Sequence, residues 1–119
     1  MNPEALIQKQ LDAYNARDID ALMATYAEDA QQFEHPDKLL ASGAGPIRER
    51  FVTRFKEPNL HAVLIKRIVA GNIVVDHEHV TRTFPEGTGK IELVCIYEVQ
   101  NEKIARAWFI SGARTLDGK

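Results

Sequence analysis

Cysteine is almost absent from this chain of 119 residues, in which Cys95 is the only one. A single cysteine cannot close a disulfide within the chain, and without a C-x-x-C pair a redox function has no support. Because Cys95 lies in an apolar, strand-like stretch, we expect it to be a small buried hydrophobic side chain rather than a reactive thiol.

Long apolar runs and a surplus of one charge are absent as well. No apolar stretch is long enough to cross a bilayer, and residues 1–4 lead into a helical pattern without a signal peptide or a basic transit segment. With a net charge of −2, we expect neither a nucleic-acid nor a membrane partner. We expect a soluble cytoplasmic protein. Several basic residues alternate with acidic and apolar ones, which predicts a solvated face: Arg48, Arg50, Arg54, Lys56, Lys66 and Arg67.

The length fits one domain, and we expect a single domain over residues 1–119. Helical spacing of apolar residues comes first, with Asn2 and Asp18 placed as N-caps. Stretches rich in Val, Ile, Thr and aromatic residues follow, and the short turns between them predict antiparallel hairpins. This order predicts an α+β fold. The predicted helices cover 3–14, 18–27 and 46–57, and the predicted strands cover 30–35, 60–70, 73–84, 91–100 and 104–113.

The last two predicted strands are apolar at consecutive positions, over 94–97 and again over 107–110. A strand of an antiparallel sheet with one face in water should instead alternate apolar and polar residues. Apolar residues on both faces therefore indicate that both faces are covered. The helices can cover one face, and a second copy of the protein is the simplest cover for the other.

Three features of the sequence form a set. Residues 11–30 predict the end of a helix, a corner at 15–18, and a short second helix that runs directly into a strand. Residues 47–48 begin the third helix, and residues 103–109 belong to the closing strand. Together these features resemble the nuclear transport factor 2-like superfamily, which includes ketosteroid isomerases and SnoaL-type polyketide cyclases. The resemblance implies a cone-shaped, curved antiparallel sheet wrapped around three N-terminal helices, a small-molecule pocket, and a homodimer through the outer face of the sheet.

The resemblance also implies positions for catalytic groups. Ketosteroid isomerase uses an Asp base, with a Tyr and a protonated Asp that stabilise the enolate oxygen. The base position falls at the end of the first strand on Glu34, or on His35 if the following proline is aligned instead. The tyrosine position falls on Gln10, with Tyr14 one turn later, and the acid position falls on Cys95. Since both oxyanion donors change, efficient ketosteroid isomerisation is not implied, and no cofactor is expected.

Residues 76–79 are the densest ionisable group, and strand alternation puts His77 and His79 on one face and the two carboxylates on the other. The two histidines could bind a metal with a third ligand such as His61 or His35, but no such ligand is in view and we expect no metal site. An inward-facing His77 acting as acid or base is favoured over a metal. A solvated or cross-strand-paired surface is favoured over both.

Aromatic residues supply candidate lining for the pocket. Tyr97 shares strand parity with Cys95, so the two side chains should point the same way. For any single aromatic residue, packing in the core is the alternative. The aromatic residues as a set suit an apolar pocket with a few polar groups. The candidates are Tyr14, Phe51, Phe55, Tyr97 and Trp108.

The resemblance implies a cofactor-independent isomerase, cyclase or dehydratase that acts on a small, mostly apolar molecule, with Glu34 as the proton acceptor. A non-catalytic binding or accessory dimer with the same pocket is the alternative. A structural dimer whose cone is filled by its own side chains is a third possibility. An open cavity with an ionisable group reaching into it would favour the enzyme.

Overall fold

A computed structural model describes residues 2–117 of the chain. Within this range the chain forms three helices and six strands, and the strands belong to one sheet. The helices are α1 (Pro3–Ala16), α2 (Ile19–Met23) and α3 (Ala44–Arg54). The strands are β1 (Tyr26–Glu34), β2 (Lys38–Ser42), β3 (His61–Ala70), β4 (Ile73–Phe84), β5 (Gly87–Gln100) and β6 (Lys103–Leu116).

The strands lie side by side in the order β2-β1-β6-β5-β4-β3. Neighbouring strands are antiparallel except for β1 and β6, which run parallel. The sheet is curved and open, and the helices pack against one of its faces. The predicted α+β class is confirmed, with a mixed sheet in place of a wholly antiparallel one. Hairpin signals concern consecutive strands only, so they could not show that β1 pairs with the last strand.

The starts of α1 and α2 are fixed by the side chains that the sequence predicted as caps. The Asn2 side-chain oxygen accepts from the Ala5 N–H at 2.7 Å, and the Asp18 carboxylate accepts from the Ala21 N–H at 3.1 Å. Each bond satisfies a backbone donor that has no partner inside its helix. Arg17, with a φ of 56°, turns the chain between the two helices.

The second helix is shorter than the sequence predicted. It ends at Met23 because Thr25 turns back onto it: both its N–H, at 3.1 Å, and its hydroxyl, at 2.7 Å, donate to the Leu22 carbonyl. As a result β1 begins at Tyr26 rather than at residue 30.

Two further strand segments were missing from the prediction. β2 forms a hairpin with β1 in a stretch for which the sequence predicts no helix or strand. β5 begins at Gly87 instead of residue 91, although residues 85–89 have the composition of a turn. At Gly89 the strand passes so close to Thr115 that a side-chain carbon would overlap the Thr115 carbonyl oxygen. The glycine predicted a turn from the sequence, but in the structure its missing side chain allows β5 to pair with β6 at this point.

Alternation along the long strands separates an inner face, which the helices cover, from an outer face. On β4, Asp76 and Glu78 are buried on the inner face, whereas His77 and His79 lie on the outer face. The core is formed by apolar side chains of the helices and the inner face, including Ile7, Leu22, Ile47, Val74, Cys95 and Ile104.

Within residues 2–117, no helix combines the length and the apolar character that a membrane span requires. The cytoplasmic location and the single-domain organisation stay predictions.

Candidate functional site

A cavity of about 240 Å³ lies between the helices α1 and α3 and the inner face of the sheet. Sites for drug-sized ligands usually measure roughly 300–1,000 Å³, so this cavity suits a compact molecule. Its presence argues against a cone filled by its own side chains. The apolar part of the wall comes from Leu11, Leu40, Val80, Ile91, Leu93 and Phe109.

Most of the residues proposed from the sequence lie in this wall. Gln10 and Tyr14 are one turn apart on α1, so both side chains face the sheet. Cys95 and Tyr97 share the inner parity of β5, as the sequence predicted. The proposed residues that line the cavity are Gln10, Tyr14, Glu34, Phe51, Cys95 and Tyr97.

Four proposed residues lie outside the cavity wall. His35 is exposed just after β1. His77 has the outward parity of β4, where its Nε2 lies 2.8 Å from Glu92 Oε2, so the hypothesis of an inward-facing His77 is wrong. Phe55 packs edge-on to Tyr14 at a ring distance of 5.7 Å. Trp108 stacks on Phe33 at 5.8 Å, on the outer face.

Glu78 is the buried carboxyl of the site, with an exposed fraction of 5%. Burial, followed by the negative charge of Asp76, raises the pKa of Glu78 to about 7, although the charge of Arg67 and a hydrogen bond from Cys95 oppose the rise. The Cys95 thiol lies 3.9 Å from Glu78 Oε1. A carboxyl with this pKa exchanges its proton near neutral pH, which is what acid–base catalysis requires.

Strand alternation predicts that Glu78 lies on the face opposite His77, but Glu78 was not among the predicted site residues. The available signal was its parity with Val74 and Val80, which are both buried on the inner face. That signal was ambiguous because Ile73 and Val75 are apolar too.

Asp76 lies beside Glu78 on the inner face and forms an ion pair with Arg67. Arg67 Nε and Nη2 donate to the two Asp76 carboxylate oxygens at 2.7 and 2.9 Å, and Arg67 Nη1 donates to Gln8 Oε1 at 2.9 Å. Neither member of the pair lines the cavity. The pair also corrects the expectation that Arg67 belongs to a solvated face.

Neutral hydrogen-bonding groups surround Glu78 in the buried part of the cavity. The Tyr97 hydroxyl donates to Gln10 Oε1 at 3.4 Å, and burial raises the pKa of Tyr97. Burial also raises the pKa of Tyr14 to about 12, despite a hydrogen bond from Arg54. Both phenols therefore keep their protons at neutral pH and can serve as donors. The pKa of Cys95 is likewise raised by burial, which agrees with the expectation of an unreactive thiol.

Glu34 lies in the same wall as Glu78 but differs from it in exposure to solvent. It is exposed, as is Ser111 on the neighbouring strand β6, so the two residues lie where the cavity opens to solvent. The cavity thus has one carboxyl in its buried part and one at its mouth.

Three arginines complete the wall, and the sequence had assigned two of them to a solvated face. Arg82 forms a two-bond ion pair with Glu57, at 2.8 Å for both bonds. Arg54 lies 3.5 Å from the same carboxylate. Arg50 has a neutral partner instead: its Nη1 donates to Gln32 Oε1 at 2.9 Å.

The outer face carries a group that could hold a metal ion. Ligand atoms of His77, His79 and Glu92 lie within 4.8 Å of one another. The third group is thus Glu92 of the neighbouring strand and neither His61 nor His35. His and carboxylate ligands suit zinc and other divalent transition metals.

The fold and the cavity define a small α+β protein of the nuclear transport factor 2-like class, with a pocket between helices and a curved sheet. The profile of the SnoaL-like domain family matches residues 7–107. The chain therefore belongs to the SnoaL-like domain family.

Solved structures show the same fold. An uncharacterised cystatin-fold protein from Novosphingobium aromaticivorans has a TM-score of 0.85 at 25% identity, covering 92% of this chain and 98% of its own. A protein with a ketosteroid isomerase-like fold from Catenulispora acidiphila, solved with trimethylamine, has a TM-score of 0.76 at 16% identity, with coverages of 92% and 85%. A protein from Sinorhizobium meliloti, provisionally assigned as a polyketide cyclase, has a TM-score of 0.73 at 22% identity, with coverages of 88% and 93%. No curated protein matches the chain.

Proposed function

We propose that this protein catalyses a cofactor-independent proton transfer on a small molecule, as an isomerase, cyclase or dehydratase, with Glu78 as the acid–base group. The observation that carries the proposal is the carboxyl of Glu78, buried in the cavity wall with a pKa raised to about 7. Near that pH the group is partly ionised, so it can accept a proton in one step and return it in the next.

Hydrogen-bond donors support the same chemistry. Removing a proton next to a carbonyl places negative charge on the carbonyl oxygen, and donors aimed at that oxygen lower the barrier. Tyr14 and Tyr97 line the cavity with protonated hydroxyls, and Tyr97 would leave its bond to Gln10 in order to donate to a bound molecule. They replace the donors that the family resemblance would have placed at Gln10 and Cys95.

The proposal moves the base from Glu34, which the resemblance favoured, to Glu78. Glu34 is exposed at the mouth, whereas Glu78 lies where water is largely excluded. Exclusion of water both tunes a carboxyl toward neutral pH and strengthens its interactions with a bound molecule.

Hydrogen–deuterium exchange tests the proposal without knowledge of the natural substrate. Small ketones and polyketide-like diketones are incubated with the protein in deuterated buffer, and NMR records deuterium uptake next to the carbonyl. We expect uptake with wild type to rise through about pH 7, and Glu78→Gln to lower the rate by about 10²–10⁴-fold.

Glu34→Gln is the matched variant, since it changes the other carboxyl of the wall. A normal rate in Glu78→Gln together with a loss in Glu34→Gln would return the role to Glu34. Absence of uptake in wild type with every ketone, despite binding, would favour the alternative of a non-catalytic ligand-binding protein.

We also propose that the protein is a homodimer through the outer face of the sheet. A row of apolar residues crosses five strands through direct cross-strand pairs: Phe33, Trp108, Ile96, Val75 and Ile68. Ile68 is 55% exposed, and Val63 and Ile110 on the same face are 48% and 38% exposed. Such a contiguous apolar surface is typical of a protein–protein interface. Sedimentation velocity at micromolar concentration tests it, and a stable monomer would contradict the proposal.

A further inference from the structure

Arg50 is a cation of the cavity wall whose charge is not balanced by a carboxylate. Within residues 2–117, no ion pair involves its guanidinium, although Glu34 and Glu78 lie in the same wall. Its side-chain partner is the amide oxygen of Gln32 at 2.9 Å. Gln32 is itself buried, and its Nε2 donates to the Tyr26 hydroxyl oxygen at 3.3 Å.

This chain of bonds holds Arg50 in place without neutralising it. A guanidinium has five N–H donors, and the Gln32 bond uses one of them. The residue is only partly buried, so the other donors can meet a molecule that enters the cavity.

The neighbouring arginines occupy the nearby carboxylate of Glu57, so it does not balance Arg50. Arg82 and Arg54 share the single carboxylate of Glu57. Burial, and then the positive charge of Arg54, lower the pKa of Arg50. A partly desolvated cation next to a second cation is costly, and a bound anion would relieve that cost.

We propose that Arg50 anchors a carboxylate of the ligand, so that the cavity takes a compact organic acid rather than a purely apolar molecule. The proposal rests on the proposed function only in taking this cavity as the small-molecule site. A carboxylate matches both the flat, forked geometry of a guanidinium and its single positive charge. A phosphate, with nearly twice the charge, would be left partly unbalanced by one arginine.

Calorimetric titration with three one-ring probes tests the proposal: benzoate, its neutral analogue benzamide, and phenyl phosphate. At pH 6 and low salt, where Glu78 is mostly protonated, we expect wild type to bind benzoate about 10- to 100-fold more tightly than benzamide, the usual contribution of a hydrogen bond to a charged group. Arg50→Gln should abolish this preference while leaving benzamide binding unchanged.

Arg48→Gln is the matched control, because Arg48 lies on the same helix, outside the cavity wall, and pairs with Asp20 at 3.0 Å. It should keep the wild-type preference. Arg50→Lys keeps the charge and loses the fork, so it should bind benzoate with an intermediate affinity. If Arg50→Gln does not fold, the benzoate affinity of Arg50→Lys tests whether Arg50 anchors a carboxylate.

Three outcomes would overturn the proposal: no benzoate binding at millimolar concentration, equal affinities for benzoate and benzamide in wild type, or an undiminished preference in Arg50→Gln. Tighter binding of phenyl phosphate than of benzoate would overturn the choice of a carboxylate. A protein that prefers benzoate but exchanges no deuterium would lose the proposed function and keep this inference. A protein that exchanges deuterium on neutral ketones but shows no preference for benzoate would keep the proposed function and lose this inference.

Discussion

Replacing Glu78 with glutamine should stabilise the fold above pH 7 and change little below pH 4.5. Burial and the charge of Asp76 raise the pKa of this carboxyl from 4.5 to about 7 in the folded protein. Below 4.5 both the folded and the unfolded chain hold the proton, so the raised pKa has no effect. Between the two values the unfolded chain loses the proton and the folded chain keeps it. Wild-type stability therefore falls as pH rises, and the full cost is present above 7.

The size of the effect follows from the two pKa values. At about 1.36 kcal/mol for each pKa unit, moving the pKa from 4.5 to about 7 corresponds to about 3 kcal/mol of lost stability at pH 8. Glutamine has nearly the same shape, carries no charge and can still meet the Cys95 thiol. For a chain of this length the gain would raise Tm by about 10 °C.

Urea denaturation at pH 4 and pH 8, followed by circular dichroism, measures this difference. Glu92→Gln is the control: its carboxylate is on the outer face, and the hydrogen bond with His77 lowers its pKa. That variant should gain nothing at pH 8. If Glu78→Gln is no more stable than wild type at pH 8, the ionised carboxylate is well accommodated in the fold. A role for Glu78 as a proton-transfer group with a pKa near 7 would then be refuted.

Three other substitutions test other parts of the structure. Arg67→Met leaves Asp76, whose side chain is 0% exposed, without its partner and should cost about 3–5 kcal/mol in urea denaturation; a cost below about 1 kcal/mol would refute the buried pair. Trp108→Glu puts a charge into the outer apolar row and should convert a sedimenting dimer into monomer with an unchanged circular dichroism spectrum. Asn15→Ala removes two hydrogen bonds to the backbone of Ala62, at 2.9 and 2.8 Å, and should lower the urea midpoint by the equivalent of about 1–3 kcal/mol; an unchanged midpoint would show that water replaces both bonds.

Local signals predicted the parts of the fold that depend on nearby residues. The caps at Asn2 and Asp18 form bonds to backbone groups three residues away, so they are visible in a short stretch of sequence. The shared parity of Cys95 and Tyr97 follows from strand alternation alone. The spacing of Gln10 and Tyr14, one helical turn apart, likewise puts these two wall residues on the same side of α1.

The misplaced residues depend on contacts between distant segments. Strand alternation puts His77 and Glu78 on opposite faces of β4. It cannot show which face is turned toward the helices, because β4 has apolar residues on both faces. The placement of Arg50 depends on how α3 sits on the sheet, and the Arg82–Glu57 pair, which joins β4 to the segment after that helix, is one of the contacts that fix it. Nothing near Arg50 in the sequence reveals that arrangement.

The Arg67–Asp76 ion pair acts on the pKa of Glu78 from outside the cavity. The charge of Asp76 raises the pKa of Glu78 and that of Arg67 lowers it, yet neither residue touches the cavity. Exchanging Asp76 for a neutral residue would lower the pKa of Glu78, and losing Arg67 would raise it, each at the cost in stability of leaving a buried charge unpaired. Under the proposed roles of Glu78 and Arg50, the pH optimum and the ligand preference would therefore depend on separate residues.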